Sequence, residues 1–168
     1  MLYAIRVRLY PNAAQRDFFA RTFGCCRWVY NEALAHCQAL YEMGTPRPSG
    51  YDLQKRLPAL KIEHPWLAEA DSQALTYACR SVDLAYKNFF RRAKSGETPG
   101  FPRFKSKHRS DATYTATSGA AIAMEPSKLK LPKAGWVRCR GARVWEGRIK
   151  RATVRQTPTG KYYATVLI

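Results

Sequence analysis

The sequence predicts an α+β fold in which one small β-barrel or sheet is interrupted by a helical insertion. Residues 2–10 alternate apolar and polar side chains, which is typical of a half-buried strand. Between residues 19 and 96 the apolar residues recur three and four apart, as in helices, and beyond residue 110 the period returns to two. The first strand needs sheet partners, and the only candidates lie beyond residue 110, so the helices are predicted to be inserted into the β region.

The composition points to nucleic acid as the partner. A chain of 168 residues with 46% apolar residues can bury the core of one domain or two small ones. The net charge is +17, with 29 Lys and Arg against 12 Asp and Glu, and a bound polyanion would relieve this self-repulsion. The sequence contains no long apolar run, and its first residues lack the layout of a signal peptide. We therefore expect a cytoplasmic protein with no membrane partner.

The cysteines are predicted to be small buried hydrophobic residues. Their number is odd and no C-x-x-C pair occurs, so neither a zinc site nor a disulfide framework fits. They are Cys25, Cys26, Cys37, Cys79 and Cys139.

The first strand candidate, Leu2–Tyr10, carries Arg6 and Arg8 on its polar face, so that face is cationic. Asn12 and Gln15 follow with the spacing of a helix N-cap and its reciprocal partner, which predicts a helix. Gly24 interrupts the apolar stripe of that helix, and two interpretations stay open: two helices joined near Gly24, or one bent helix. A joined pair would suggest a DNA-reading helix-turn-helix, although ordinary helical hairpins give the same pattern.

Three further helical features follow. Ser49 and Asp52 have the spacing of a capping box for a short helix that stops near Pro58. His64–Leu67 is predicted to be a turn with an aromatic plug. Asp71 or Ser72 caps the longest helix, which ends near Gly96. The core stripe of that helix is predicted to contain Leu75, Cys79, Val82, Tyr86 and Phe89.

A basic stretch, residues 87–109, joins the helices to the β region. Its one acid is Glu97, and four phenylalanines lie among its cations. Cations neutralise phosphates and aromatic rings stack on unpaired bases, but the same pattern fits a solvated loop whose phenylalanines anchor it to the core. Exposed positions on the long helix carry the same ambiguity between solvent and phosphate. These are Arg80, Lys87 and Arg91.

The β region is predicted to contain five strands, with a hairpin at Pro158–Gly160 joining the last two. Their Lys and Arg residues alternate, which favours a phosphate-binding face over a face that is merely soluble. The predicted strands are Thr113–Thr117, Lys128–Leu131, Trp136–Arg140, Arg148–Gln156 and Tyr162–Ile168.

No pattern typical of catalysis is found in the sequence. The acids fall mostly on predicted helix surfaces and caps, the three histidines are scattered, and no glycine-rich phosphate loop or nucleophile elbow occurs. Recognition is therefore predicted, and not catalysis.

Five motifs in one order make the chain resemble TnpB proteins, the OrfB proteins of bacterial insertion sequences and ancestors of the type V CRISPR nucleases. The resemblance covers the N-terminal half of that family. The motifs are RLYP at 8–11, TFGCCRWVYN at 22–31, AYKNFF at 85–90, GFPRFK at 100–105 and LKLPKAGWV at 129–137.

The resemblance implies a domain layout and two nucleic-acid partners. Residues 1–11 and 111–168 would form a wedge domain, an oligonucleotide-binding-like barrel. Residues 12–110 would form a helical recognition domain with a helix-turn-helix-like start and a basic linker at its end. The protein would hold a guide RNA from the transposon end, while the guide pairs with one strand of a double-stranded DNA target and the protein reads a short adjacent motif.

The resemblance also implies site residues that would read the DNA motif, namely Tyr51, Ser72, Gln73, Thr76, Ser118 and Gly119. The basic stretch and the basic strand faces separately predict the residues that would bind the nucleic-acid backbone. These are Arg6, Arg8, Lys87, Asn88, Arg91, Arg92, Arg103, Lys105, Lys107, Arg109, Lys128, Lys130, Lys133, Arg138 and Arg140.

Family members continue into a nuclease domain with three catalytic acids, which would use Mg²⁺, and a zinc ribbon that holds Zn²⁺. These have no counterpart in this sequence, so we expect either a fragment of a longer gene product or a naturally shortened copy that binds but does not cut. In both cases we expect a bacterial, nucleoid-associated chain that itself holds no cofactor or metal, and a separate nuclease half is a candidate partner. Two alternatives stay open. One is a helix-turn-helix repressor or transposase accessory protein that uses no guide, and the other is a metal-dependent nuclease in its own right.

Overall fold

The computed structural model describes residues 1–117, 121–143 and 145–168. It confirms the α+β class, with a seven-stranded antiparallel sheet and a helical layer. In chain order the elements are β1 (Ala4–Tyr10), α1 (Ala13–Glu42), α2 (Gly50–Gln54), α3 (Leu57–Glu63), a 3₁₀ helix (Pro65–Glu69), α4 (Ser72–Ser95), β2 (Ala112–Ala116), β3 (Ala123–Glu125), β4 (Lys128–Leu131), β5 (Gly135–Arg140), β6 (Arg151–Gln156) and β7 (Tyr162–Leu167).

The predicted pairing of the first strand with strands beyond residue 110 is confirmed, and the strand lies in the middle of the sheet. Strand order is β2-β6-β7-β1-β5-β4-β3, and β1 pairs antiparallel with both β7 and β5. The sheet is open in the described part of the chain, where β2 and β3 are its edges and do not pair with each other. The predicted barrel closure is therefore not shown by these residues.

The predicted hairpin is confirmed: β6 and β7 are antiparallel, and the turn between them is closed by the Thr157 amide donating to the Lys161 carbonyl at 2.7 Å. The last predicted strand but one begins late, at Arg151 instead of Arg148. β3 was not predicted, because three residues are too few to show a period of two.

α1 is a single helix that continues through Gly24. The alternative of two helices joined near Gly24 is therefore not found. The predicted capping box is present, with the Gln15 amide donating to the Asn12 side chain at 2.9 Å. A glycine inside a helix costs only about 1 kcal/mol, and the buried neighbours Phe23 and Cys26 outweigh that loss. The chain turns after Glu42, where Gly44 has a φ of 72°.

The segment after this turn differs from the prediction at two points. The Ser49–Asp52 capping box is confirmed, but the helix does not stop at Pro58. α2 ends at Gln54, and Pro58 lies in the first turn of α3, where its missing N–H loses no hydrogen bond. In the 3₁₀ helix the buried residue is Leu67, whereas Trp66 is 41% exposed and contacts Trp28 edge-on at 5.3 Å.

α4 agrees with the prediction at both ends. Asp71 caps its start, and Gly96 ends it in the left-handed conformation with a φ of 77°. The predicted stripe is buried except for Phe89, which is half-buried against Phe101.

One continuous core joins the helices to the sheet. Phe19 of α1 packs against Tyr114 of β2 and Tyr162 of β7, with ring centroids 6.0 and 5.8 Å apart. All five cysteines are free and buried, as predicted. No helix in the described ranges has the length and apolar character needed to cross a membrane.

Candidate nucleic-acid interface

The face of the sheet that points away from the core is rich in cations. Along β1, β4, β5, β6 and β7, buried apolar residues alternate with exposed or half-buried residues. Six of the seven described strands contain neither Asp nor Glu, and the exception is Glu125 on the edge strand β3. We call this surface the outer sheet face; its members are Arg6, Arg8, Tyr10, Lys128, Lys130, Trp136, Arg138, Arg140, Arg155 and Tyr163.

The strand register places these side chains in rows across the sheet. Arg155 lies opposite Tyr163, and Tyr163 lies opposite Arg8. Arg8 in turn lies opposite Arg140, which continues the row across four strands. In a parallel row Tyr10 lies opposite Arg138, and Arg138 lies opposite Lys128. The register therefore brings cations from four strands, β1, β4, β5 and β6, onto one surface.

Two tyrosines pack against these arginines. The Arg6 guanidinium lies 4.2 Å from the centroid of the Tyr163 ring, and that of Arg8 lies 5.4 Å from the same ring. On the other side, Arg8 and Arg138 lie 5.0 and 5.8 Å from the Tyr10 ring. Stacking on a ring restricts a guanidinium while leaving its N–H donors free for phosphate.

The tyrosines were missed by the sequence analysis. A signal for Tyr10 was present, because it has the same parity as Arg6 and Arg8 along the strand. Tyr163 could be assigned only from the register, since its neighbours Arg6 and Arg8 are more than 150 residues away in the chain.

Most of the positive charge on the outer sheet face is not neutralised by carboxylates. Within the described residues its one ion pair joins Arg155 to Asp111 at 3.6 Å. The Nε atom of Arg8 is buried and has no hydrogen-bond partner in the described chain. Such a surface can neutralise several phosphates of a polyanion.

The basic loop, residues 97–111, lies beside α1. The Asn31 side chain accepts from the Lys105 amide at 2.7 Å and donates to the Lys105 carbonyl at 2.8 Å. The Lys105 ammonium lies 4.2 Å from the Tyr30 ring centroid, and burial lowers the pKa of this amine. The loop is therefore anchored at Lys105.

Some phenylalanines of the basic stretch anchor it to the core, and others are exposed and free to stack on a base. Phe89 and Phe101 pack edge-on with ring centroids 5.1 Å apart, and Phe101 also contacts Tyr86 at 6.0 Å. These two rings anchor the loop to α4. Phe104 is 53% exposed and is open to contact by a base.

The other predicted backbone-binding residues have different surroundings. Lys87 pairs with Asp83 at 3.0 Å, and Asn88 is half-buried. The Lys133 ammonium donates to the carbonyls of Ala68 and Ala70 at 2.8 and 2.9 Å, so it links the β4–β5 turn to the 3₁₀ helix. The remaining cations of the stretch are exposed and form no ion pair within the described ranges; they are Arg91, Arg92, Arg103, Lys107 and Arg109.

The predicted motif readers are brought together only in part. At the start of α4, the Gln73 side chain accepts from Thr117 at 3.4 Å, which places this helix end beside the end of β2. Ser72 accepts from Lys61 at 3.1 Å, and Thr76 is half-buried one turn further on. Ser118 and Gly119 follow Thr117 in sequence but lie outside the described residues.

Tyr51 lies apart from those side chains. It is 62% exposed on α2, which packs along α4 near Arg80 and Asp83, about two turns beyond Ser72. Its ring carries the Lys55 ammonium at 4.4 Å. Metal-ligating side chains do not cluster anywhere in the described ranges in groups of three or more.

Comparison with known proteins identifies the family to which the chain is similar. The family model for the helix-turn-helix domain of the OrfB IS605 type matches residues 1–45, which contain β1 and α1. The chain is also similar to InsQ of Escherichia coli (strain K12), named as a candidate RNA-guided DNA endonuclease, with 34% identity over 98% of this chain and 40% of InsQ.

Two further relatives are similar to the chain. A Streptomyces pristinaespiralis protein, also named as a candidate RNA-guided DNA endonuclease, is 34% identical over 70% of this chain and 28% of its own length. The virulence protein VsdF of Salmonella dublin is 32% identical over 64% of this chain and 96% of VsdF. The chain thus spans less than half of the two endonuclease relatives and almost all of VsdF. These matches show that the chain belongs to the OrfB (TnpB-type) family of transposon proteins.

Proposed function

We propose that this chain binds a guide RNA from the transposon end and reads a short motif beside the target in double-stranded DNA. In this proposal it is the nucleic-acid-binding part of an RNA-guided DNA endonuclease. The names of two relatives support the proposal, since both describe such an enzyme. Metal-dependent cleavage would belong to the nuclease part of that endonuclease, and the complex would act in the bacterial cytoplasm at the nucleoid.

The observation that carries the proposal is the outer sheet face. Of the four adjacent strands β6, β7, β1 and β5, three place cations on one surface, β7 adds Tyr163 among them, and none of the four contains an acid. A face of this kind attracts the phosphates of any nucleic acid, and its stacked arginines suit the irregular phosphate positions of a folded RNA. Selection for solubility alone would intersperse both signs of charge.

The proposal divides the work between two regions. Residues 1–11 and 111–168 act as a wedge domain that holds the guide through the outer sheet face. Residues 12–110 act as a recognition domain that contacts the target duplex. The polar start of α4, where Ser72 and Gln73 lie beside Thr117, is the surface best suited to reading base edges.

The test is binding of the purified full chain to RNA transcribed from the adjacent transposon end. We expect structured RNA of that origin to copurify, and we expect tighter binding to it than to a shuffled RNA of equal length or to DNA duplex. Arg8→Gln with Arg140→Gln should weaken binding at least tenfold, because each change removes a phosphate contact. Lys150→Gln with Lys161→Gln is the matched control, because both side chains are exposed and off the outer sheet face.

Two results would count against the proposal. One is purification without nucleic acid together with equal affinity for the transposon-end and shuffled RNAs. The other is an equal loss of affinity in the two double variants, which would show that net charge alone determines binding.

A further inference from the structure

A second basic site lies at the β2 edge of the sheet. A cavity of about 70 Å³ opens where α1, the basic loop, α4 and β2 meet. This volume is several times the roughly 10–15 Å³ that one ordered water needs. Arg27 of α1 and Lys105 of the basic loop both line it.

Both cations are half-buried, and neither forms an ion pair with an acid of the described chain. Withdrawing a charge from water without a partner is unfavourable, and burial accordingly lowers the pKa of Lys105. An anion in the cavity would offset this penalty for both side chains at once.

The position of Lys105 is held by several contacts. Asn31 bonds its amide and its carbonyl, at 2.7 and 2.8 Å, and the buried Tyr30 ring receives its ammonium at 4.2 Å. The neighbouring cations of the same loop, Arg103 and Lys107, point to solvent instead. The fold therefore directs one cation of this loop inward.

Hydroxyl groups complete the lining. Ser110 lies in the wall, and its oxygen accepts from the Ser106 amide at 3.0 Å, so its own proton is available to an anion. The one carboxylate in the wall, that of Asp111, faces Arg155 at 3.6 Å and is exposed. The cavity thus offers two cations and at least one free donor.

The surroundings favour a polynucleotide over a free ion. A second groove adjoins the cavity and shares Tyr77 and Ser81 with it. That groove is lined by Arg80, by Lys87, which pairs with Asp83 in the same wall, and by Arg151, whose guanidinium lies 5.8 Å from the Tyr77 ring. A chain of phosphates entering the cavity would meet further cations along this path.

We propose that Arg27 and Lys105 form a pocket for one phosphate group of a bound polynucleotide. The inference rests on the proposed function for the identity of that polynucleotide, and it adds a contact on the α1–α4 side. Arg27 supplies the planar fork of donors, Lys105 the point charge, and Ser110 a neutral donor.

The pocket can be tested first without any nucleic acid. Inorganic phosphate is titrated at constant ionic strength against chloride, while the backbone amides of residues 105 and 110 are followed by NMR. We expect saturable shifts in the wild type and in Lys107→Met, and their loss in Arg27→Met and Lys105→Met. Equal shifts in Lys105→Met and Lys107→Met, or no saturable shift in the wild type, would overturn the pocket.

The same variants are then assayed with transposon-end RNA. We expect Arg27→Met and Lys105→Met to weaken binding about tenfold and to reduce the salt slope by about 1, whereas Lys94→Met, an exposed control outside the predicted nucleic-acid contacts, changes affinity less than threefold. Arg27→Lys should retain part of the affinity. Unchanged RNA binding by Lys105→Met would overturn the inference and leave the proposed function intact. If the chain bound phosphate in the pocket but bound no RNA, the proposed function would be overturned and the anion pocket would stand.

A stability measurement separates binding from a structural role. Because Lys105 is a desolvated cation without an acidic partner, Lys105→Met should leave the melting temperature of the ligand-free protein unchanged or raise it. A clear fall in that temperature would assign Lys105 to structure and overturn the pocket.

Discussion

The side-chain amide of Asn31 holds the backbone of Lys105 from both sides, donating to its carbonyl at 2.8 Å and accepting from its amide at 2.7 Å. The two residues are 74 positions apart, and this pair fixes the basic loop against α1. Both residues fall in motifs by which the chain resembles its family.

Asn31→Ala should therefore release the loop. Removing both hydrogen bonds leaves two part-buried backbone groups unpaired, so the free energy of unfolding should fall by about 1–3 kcal/mol. Chemical denaturation gives that value, and hydrogen exchange of residues 100–110 shows where the protection is lost. Asn88→Ala is the control, because this half-buried asparagine makes no side-chain hydrogen bond to a described residue. Unchanged exchange in Asn31→Ala would contradict the anchoring role.

A second prediction concerns pH. Burial alone would raise the pKa of Asp83, but hydrogen bonds and charge from Arg47 and Lys87 outweigh it and hold the pKa below its ordinary value of 3.8. An acid with a lowered folded pKa stabilises the fold above its unfolded pKa, and this stability is lost as pH falls through the folded pKa. Asp83→Asn should thus lower the free energy of unfolding by about 1–3 kcal/mol at pH 7.

The difference between wild type and Asp83→Asn should then narrow as the pH falls below 3.8. Urea denaturation at several pH values measures it. Asp17→Asn, which removes an exposed i,i+4 pair with Arg21, should change stability by less than about 0.5 kcal/mol. A difference for Asp83→Asn that is independent of pH would contradict the ion-pair assignment.

Tyr163→Leu should weaken RNA binding without changing the net charge. The ring restricts Arg6 and Arg8, so its loss frees both guanidinium groups, and affinity should fall about three- to tenfold. Fluorescence anisotropy with transposon-end RNA measures this. Tyr41→Leu is the control, because that ring is 84% exposed at the end of α1. Equal affinities of the two variants would show that the tyrosine does not position the arginines.

Lys133 and Lys130 provide a matched pair from adjacent segments. Lys133→Met should lower the free energy of unfolding by about 1–3 kcal/mol, because two carbonyl groups lose a charged donor, while RNA affinity of the folded protein stays within twofold. Lys130→Met, on the outer sheet face, should leave the free energy of unfolding unchanged and weaken RNA binding. If Lys133→Met weakened RNA binding more than Lys130→Met, the structural role of Lys133 would be wrong.

Several features that depend on residues close together in the chain were predicted correctly from the sequence. The capping boxes at Asn12 and Ser49 and the glycine stop at Gly96 depend on residues within a few positions of one another, and all three were predicted. The pairing of β1 with strands beyond residue 110 was predicted from its need for partners, whereas its central position was not.

The predictions were wrong or incomplete where the structure depends on contacts between residues that are far apart in the chain. Gly24 stays helical because buried neighbours outweigh its low propensity, and Pro58 begins a helix because the preceding segment ends early. The role of Lys133 depends on carbonyl groups more than 60 residues away, and the tyrosine stacks on the outer sheet face depend on strand register. Charge alone could not distinguish these cations from one another.

The most direct test of the central claim, that the outer sheet face binds RNA phosphates, is the salt dependence of binding. A quadruple variant changes Arg6, Arg8, Arg138 and Arg140 to Gln, and a control of equal charge changes Lys55, Lys94, Lys150 and Lys161 to Gln. We expect the slope of log K against log salt for transposon-end RNA to fall by about 3 in the first and by less than about 1 in the second. Equal slopes for both variants would contradict the claim.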